Sequence, residues 1–258
     1  SSLRLGPKVA VPHRATQSRW VYASGLITKD DKVTLSPFFS FMDSHEHQVS
    51  TGDYTFQSVD AQGKVLVTDA LKVIFENEAE LTQATIGIFE KSVPYPDGTA
   101  AFQIVKGGKV IAEVKASANA PTVKIIAPKA DEKVSGKYTI KWEGSDTDND
   151  KLFYNVYYTT DGEDWAVLVE NTTKTELAYD FAQLWGSDKP TAQIAVEVSD
   201  GVNATDVDSE KFNVPITPPA VDIESPMANA TIAASAMLSL KGSAYDPQDE
   251  EITGDEAL

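Results

Sequence analysis

The chain has 258 residues, a net charge of −17, 41% hydrophobic residues and no cysteine. That length suits two domains and part of a third; the acidity argues against nucleic acid and against anionic membrane surfaces, both of which select basic partners. The missing cysteines exclude disulfides, thiolate metal sites and cysteine nucleophiles.

No stretch approaches the roughly 20 apolar residues of a membrane span. No basic-then-apolar leader opens the chain, so any signal peptide is expected to be missing or removed. Tandem small secreted domains from eukaryotes often carry disulfides, whereas bacterial exported proteins frequently do not. The composition therefore leans towards a bacterial or archaeal source.

The first region, residues 1–119, reads as β throughout. "SRWVYASG" from Ser18 and "KVTLSPFFSFM" from Lys32 have strand character. "YTFQSVDAQGKVLVT" predicts a hairpin about Gln62-Gly63, and "AAFQIVKGGKVIAEV" another about Gly107-Gly108. Before the first of these hairpins, "SHEHQ" sets His45 and His47 on one side of an extended chain; without a third ligand, His13 being the only other histidine, they read as a solvated loop rather than zinc.

A proline-bearing joint, "ASANAPTV" at 116–123, leads into the second region, residues 120–215. Here the alternation is regular. Tyr138, Ile140 and Trp142 oppose Thr139 and Lys141; Leu152, Tyr154, Val156 and Tyr158 oppose Phe153, Asn155 and Tyr157; Ile194, Val196 and Val198 oppose Ala195 and Glu197. Period two predicts one buried face and one wet face. "DFAQLWG" allows one helical turn capped by Asp180.

A second joint, "VPITPPAV" at 214–221, precedes a third region, residues 216–258, which repeats the start of the second. "PTVKIIAP" at Pro121 matches "PAVDIESP" at Pro219, Gly144-Ser145 matches Gly242-Ser243, and Asp148 matches Asp246, all 98 positions apart without a gap. An ungapped repeat of this length predicts tandem homologous modules. The third copy runs out after its second strand and the following loop, so the chain is expected to continue beyond Leu258 or to lack the rest of that module.

The residues "PTVKIIAP", "YTIKWEGSD", "DTDNDKL", "YYTTDGEDW" and "VEVSDGVN" resemble the immunoglobulin-like or fibronectin type III-like modules of large bacterial exported proteins. The resemblance implies an all-β chain of tandem β-sandwiches, a secreted or cell-surface setting, and partners that are other domains of the same polypeptide, an extracellular protein or a glycan. The first region, through "WVYASGLI", "GDYTFQSVDAQGKVL" and "VPYPDGTAAFQIVKGGKVIAEVKASANAPTV", is similar to a β-domain that follows the catalytic domain of some secreted bacterial zinc metalloproteases. Their His-Glu-x-x-His signature does not occur in this chain.

The acidic run "SDTDNDK" is the main candidate site. Counted from Asp146, an EF-hand would need Gly at Lys151 and Glu at Tyr157, so it is not one. In a sandwich, this loop and "SDGVNATD" at 199–206 leave from the same end, which is also the end facing the preceding domain. Two readings stand. Asp146, Asp148, Asp150 and Asp200, with Asp206 near, converge on a calcium ion that neutralises them; or they are polar turns bonded to their own backbone. The aromatic residues Trp165, Trp185, Tyr154, Tyr157 and Tyr158 raise carbohydrate binding, although the alternation places Tyr154 and Tyr158 inside. The sequons at Asn171, Asn203 and Asn229 matter only in a glycosylating host.

No nucleophile elbow, phosphate loop or dinucleotide fingerprint occurs. The expectation is a non-catalytic spacer, presentation or adhesion segment of a large exported protein. The alternatives are the accessory region of a metalloprotease and a carbohydrate-binding module.

Overall fold

Nineteen strands and one short 3-10 turn follow one another in the computed structural model, which describes residues 18–43, 52–76, 83–227, 229–231, 237–247 and 250–251. His13, His45 and His47 lie outside the described residues. The chain is nearly all β, and among the described residues every pairing between these strands is antiparallel.

In the first region the strands are β1 (Ser18–Thr28), β2 (Val33–Leu35), β3 (Phe39–Asp43), β4 (Tyr54–Val59), β5 (Val65–Leu71), β6 (Ile74–Glu76), β7 (Gln83–Pro94), β8 (Ala101–Lys106) and β9 (Lys109–Lys115). One sheet runs β2-β1-β7-β6, with β3 also on β1, and the other runs β5-β4-β8-β9. Both expected hairpins form. Gly107 and Gly108 turn with positive φ of 56° and 79°, the left-handed pair that a two-residue hairpin needs. Alternate residues of the two sheets, among them Val21, Ala23, Ile27, Phe56, Leu71, Phe89, Val93, Phe102 and Ile104, share one core.

One charged pair lies within it. Lys91 of β7 and Asp69 of β5 come from opposite sheets, and Lys91 Nζ sits 2.6 Å from Asp69 Oδ2. Lys91 also donates to the Ala70 carbonyl at 3.0 Å. An ion pair withdrawn from water this far must be closely matched to offset its desolvation.

The second region adds β10 (Thr122–Ala127), β11 (Lys137–Ser145), β12 (Phe153–Thr159), β13 (Ala166–Thr172), β14 (Glu176–Asp180), the turn Phe181–Gln183, β15 (Gln193–Ser199) and β16 (Ala204–Asp208). The sheets are β10-β11-β14 and β13-β12-β15-β16. Their inward residues form a second core: Ile140 and Trp142 on one side; Tyr154, Val156, Tyr158, Ile194, Val196 and Val198 on the other. Asp180 caps the turn as its composition predicts, accepting from the Ala182 amide at 3.1 Å.

The third region has β17 (Ala220–Ser225), β18 (Lys241–Asp246) and β19 (Glu250–Glu251) in one sheet. Two of its backbone features recur from the second region at the 98-residue offset. Both regions carry a bulge at matching positions, between Ile125 and Ala127 and between Ile223 and Ser225, and both have a left-handed residue six positions after the isoleucine that opens the bulge, Asp131 and Asn229. The register differs, however. Ile125 pairs with Trp142, whereas Ile223 pairs with Gly242 instead of Leu240, a slip of two residues. Such a slip leaves each side chain on its original face, so only packing against a second sheet would resist it. Val221, Ile223 and Leu240 are each about 70% exposed, whereas their counterparts Val123, Ile125 and Trp142 pack on the second core.

Candidate functional site

The candidate site lies where the first and second regions meet. It is built from the β11–β12 loop and the β15–β16 loop, together with the joint at residues 116–121.

The β11–β12 loop folds around Asp146. Its Oδ1 accepts from the backbone amides of Asp148 at 2.8 Å and Asp150 at 3.0 Å, and Asn149 takes the left-handed conformation that asparagine tolerates at a loop tip. Asp146 Oδ2 is shielded from solvent and has no hydrogen-bond partner. Gly144 precedes this loop because a side chain there would collide with the Tyr154 hydroxyl.

The β15–β16 loop is organised by Asp200. Its Oδ1 accepts from the amides of Val202 at 2.8 Å and Asn203 at 2.7 Å, and its Oδ2 accepts from Asn203 Nδ2 at 2.8 Å. Gly201, at φ 107°, makes this tight reversal possible. Burial pushes the Asp200 carboxyl above the ordinary aspartate range, and the negative charge of Asp150 adds to that rise.

Asp146, Asp150 and Asp200 each bring a carboxylate oxygen within 4.8 Å of the others. The structure thus unites three of the four aspartates singled out from the sequence. Asp148 takes another place. Its Oδ2 accepts from Ser117 Oγ at 2.7 Å and the Asn119 amide at 2.8 Å, and its Oδ1 accepts from Asn119 Nδ2 at 2.9 Å. These bonds, led by that of Ser117, hold its carboxyl below the ordinary range. Asp148 therefore fastens the joint. Asp206 lies in β16, opposite Glu197 on the β15–β16 ladder, and is not among the three converging carboxylates.

The β15–β16 loop also interlocks with the first region. Val202 is 1% exposed and belongs to the first core, not the second. Gly201 forms an antiparallel bridge with Phe38, whose amide donates to the Gly201 carbonyl at 3.0 Å. Ser199 Oγ donates to the Phe38 carbonyl, and the Ala204 amide donates to Ser40 Oγ at 2.8 Å. Asn203, also buried, gathers the rest: its Oδ1 accepts from Arg19 and Tyr95, and its Nδ2 donates to the Ser117 carbonyl at 3.1 Å. Arg19 lies over the Tyr95 ring, 3.9 Å from its centroid. The sequon asparagine Asn203 is thus fully engaged, while Asn171 and Asn229 are exposed.

Of the candidate aromatic residues, Trp165, Trp185 and Tyr157 are half-buried and the two others are buried. Tyr154 and Tyr158 are buried, and Trp185 packs against Tyr158 with ring centroids 5.8 Å apart. Tyr157 faces the other way, yet it too is covered and lies 3.2 Å from Glu197 Oε2, which also accepts from Asn155 Nδ2 at 3.0 Å. Burial raises both the Tyr157 hydroxyl and the Glu197 carboxyl above their ordinary ranges.

No helix among the described residues is long and apolar enough to cross a membrane. Comparison with protein-family models, with curated proteins and with solved structures returned no match.

Proposed function

We propose that the first two regions are β-sandwiches, the second of immunoglobulin-like or fibronectin type III-like type, that act together as a stiff, non-catalytic segment spacing or presenting another domain of an exported or cell-surface protein. The observation that carries this reading is the interlock of Val202 and Asn203 with the first core. Flexibly tethered modules share small, polar contacts. Here a loop of one region fills the apolar core of the other, so bending the joint would expose Val202 and strip the partners from Asn203.

Calcium fits the Asp146, Asp150 and Asp200 triad on its chemistry. The donors are hard carboxylate oxygens, as calcium prefers, and Asp146 Oδ2 is an otherwise unanswered buried oxygen. These residues would hold the ion, which would supply positive charge to three crowded carboxylates.

Calorimetric unfolding tests the proposal. Regions 1–119 and 120–215 are expected to melt together in one transition, and Val202→Asp is expected to divide it in two. Two independent transitions in the unmodified chain would refute a coupled pair.

A further inference from the structure

We propose that calcium at the Asp146, Asp150 and Asp200 triad locks the joint between the two regions, so that ion binding controls how stiffly they are held. This rests on the reading of the triad as a calcium site.

Two features of one loop carry it. Asp200 contributes to the triad, and the same carboxylate accepts from the amides of Val202 and Asn203. Those next residues enter the first core and the Arg19–Tyr95–Ser117 network. Without the ion, three carboxylate oxygens stand within 4.8 Å of one another, and Asp146 Oδ2 stays buried and unpartnered. Separating the β11–β12 and β15–β16 loops relieves both penalties, and it does so by shifting the loop that carries the interlock. The ion reverses this preference, because it binds only when the three carboxylates converge. A ligand shifts a conformational equilibrium by its differential affinity for the two states. The joint closed around Asp200 is the state that calcium favours. Asp148, fastened to Ser117 and Asn119, ties the β11–β12 loop to the chain leaving the first region, so both sides of the triad are attached to the joint.

The chain has no cysteine, which permits spin labels at two introduced positions, Lys64→Cys and Lys174→Cys, both exposed and in different regions. The distance distribution between the labels is measured in the full chain with calcium and with chelator, and calcium binding is measured by calorimetry in parallel. We expect calcium to narrow the distribution. Asp150→Asn should weaken binding on the order of tenfold or more, since affinity follows ligand charge, and shift the distribution back towards its chelated width at the same calcium concentration. Calcium that binds without changing the distribution would overturn the lock and leave the metal site standing. Absence of binding at millimolar calcium would overturn both.

Discussion

Arg19 Nη2 donates to Asn203 Oδ1 across 2.6 Å, joining β1 to a loop of the second region. The same oxygen accepts from Tyr95 OH at 2.9 Å, so one amide side chain holds a cation and a phenol at the seam. Asn203→Ala strips both donors of their acceptor while leaving them enclosed. A buried polar group without a partner costs about 1–3 kcal/mol, and more when charged. The variant is expected to lose at least about 2 kcal/mol in chemical denaturation; Asn203→Asp keeps an acceptor for Arg19 and Tyr95 but turns a carboxylate oxygen onto the Ser117 carbonyl and the Asp200 carboxylate, so it is expected to lose at least as much. Equal stability of Asn203→Ala and the unmodified chain would show that the seam contributes nothing.

The Lys91–Asp69 pair makes a second claim about the first region. Removing one partner of a buried ion pair typically costs about 3–5 kcal/mol, whereas replacing both with apolar residues is often neutral. Lys91→Met alone and Asp69→Leu alone should each destabilise strongly, and the double variant should recover most of the loss. A double variant no better than the worse single one would count against this account.

Calcium should raise the melting temperature. With a dissociation constant of roughly 0.1–1 mM, as in extracellular calcium modules, about 2 mM calcium contributes on the order of 0.7–1.8 kcal/mol. Asp150→Asn should cut that increment to less than about half. Asp148→Ala should lower the melting temperature with calcium and with chelator alike, because Asp148 binds the joint and not the triad. If Asp148→Ala instead removed the calcium increment alone, the division of labour among the four aspartates would be wrong.

The pH dependence of that increment follows from Asp200. Its folded carboxyl titrates above the ordinary range through burial, so in the metal-free fold its protonated form contributes stability that is present at low pH and lost as pH rises through the folded value. Calcium competes with that proton. Affinity should therefore fall on acidification through the raised Asp200 value, before ordinary aspartates protonate. Asp148 has the opposite sign: its contribution is present above the ordinary aspartate range and is lost as pH falls through its lowered value. Calorimetric titrations at descending pH check the first point; a constant affinity down to the ordinary aspartate range would contradict it.

The third region should be the first to yield to protease. Ile216, Val221, Ile223 and Leu240 are exposed, and the three strands have no facing sheet among the described residues. A small sheet of this kind buries too little apolar area to offset its ordering entropy. Cleavage within 215–221 should leave a fragment ending near Val214, which is buried on the second core. A third region that survives in dilute solution would require a covering surface.

Local chemistry made much of the fold legible in the sequence. Alternation placed Ile140, Trp142, Tyr154, Val156 and Tyr158 on inward faces, the Gly107-Gly108 pair announced its hairpin, and the 98-residue offset exposed the repeat, because each signal lies within one strand, one turn or one module. The convergence of Asp146, Asp150 and Asp200 was accessible through the loop positions that the expected sandwich assigns them. What Asp148 does was not: its partners Ser117 and Asn119 belong to the joint, and an Asp-x-Asp-x-Asp run treats its three carboxylates alike. Val202 left only the faint mark of an apolar residue in a polar loop, since its burial depends on strands from a distant part of the chain. The Lys91–Asp69 pair left none, because a lysine in a strand reads as outward until the opposite sheet supplies its carboxylate. Sequence periodicity determined which face of each strand is apolar. Only the tertiary structure decided which core a loop residue enters and which charges meet, because those depend on the mutual placement of sheets far apart in the chain.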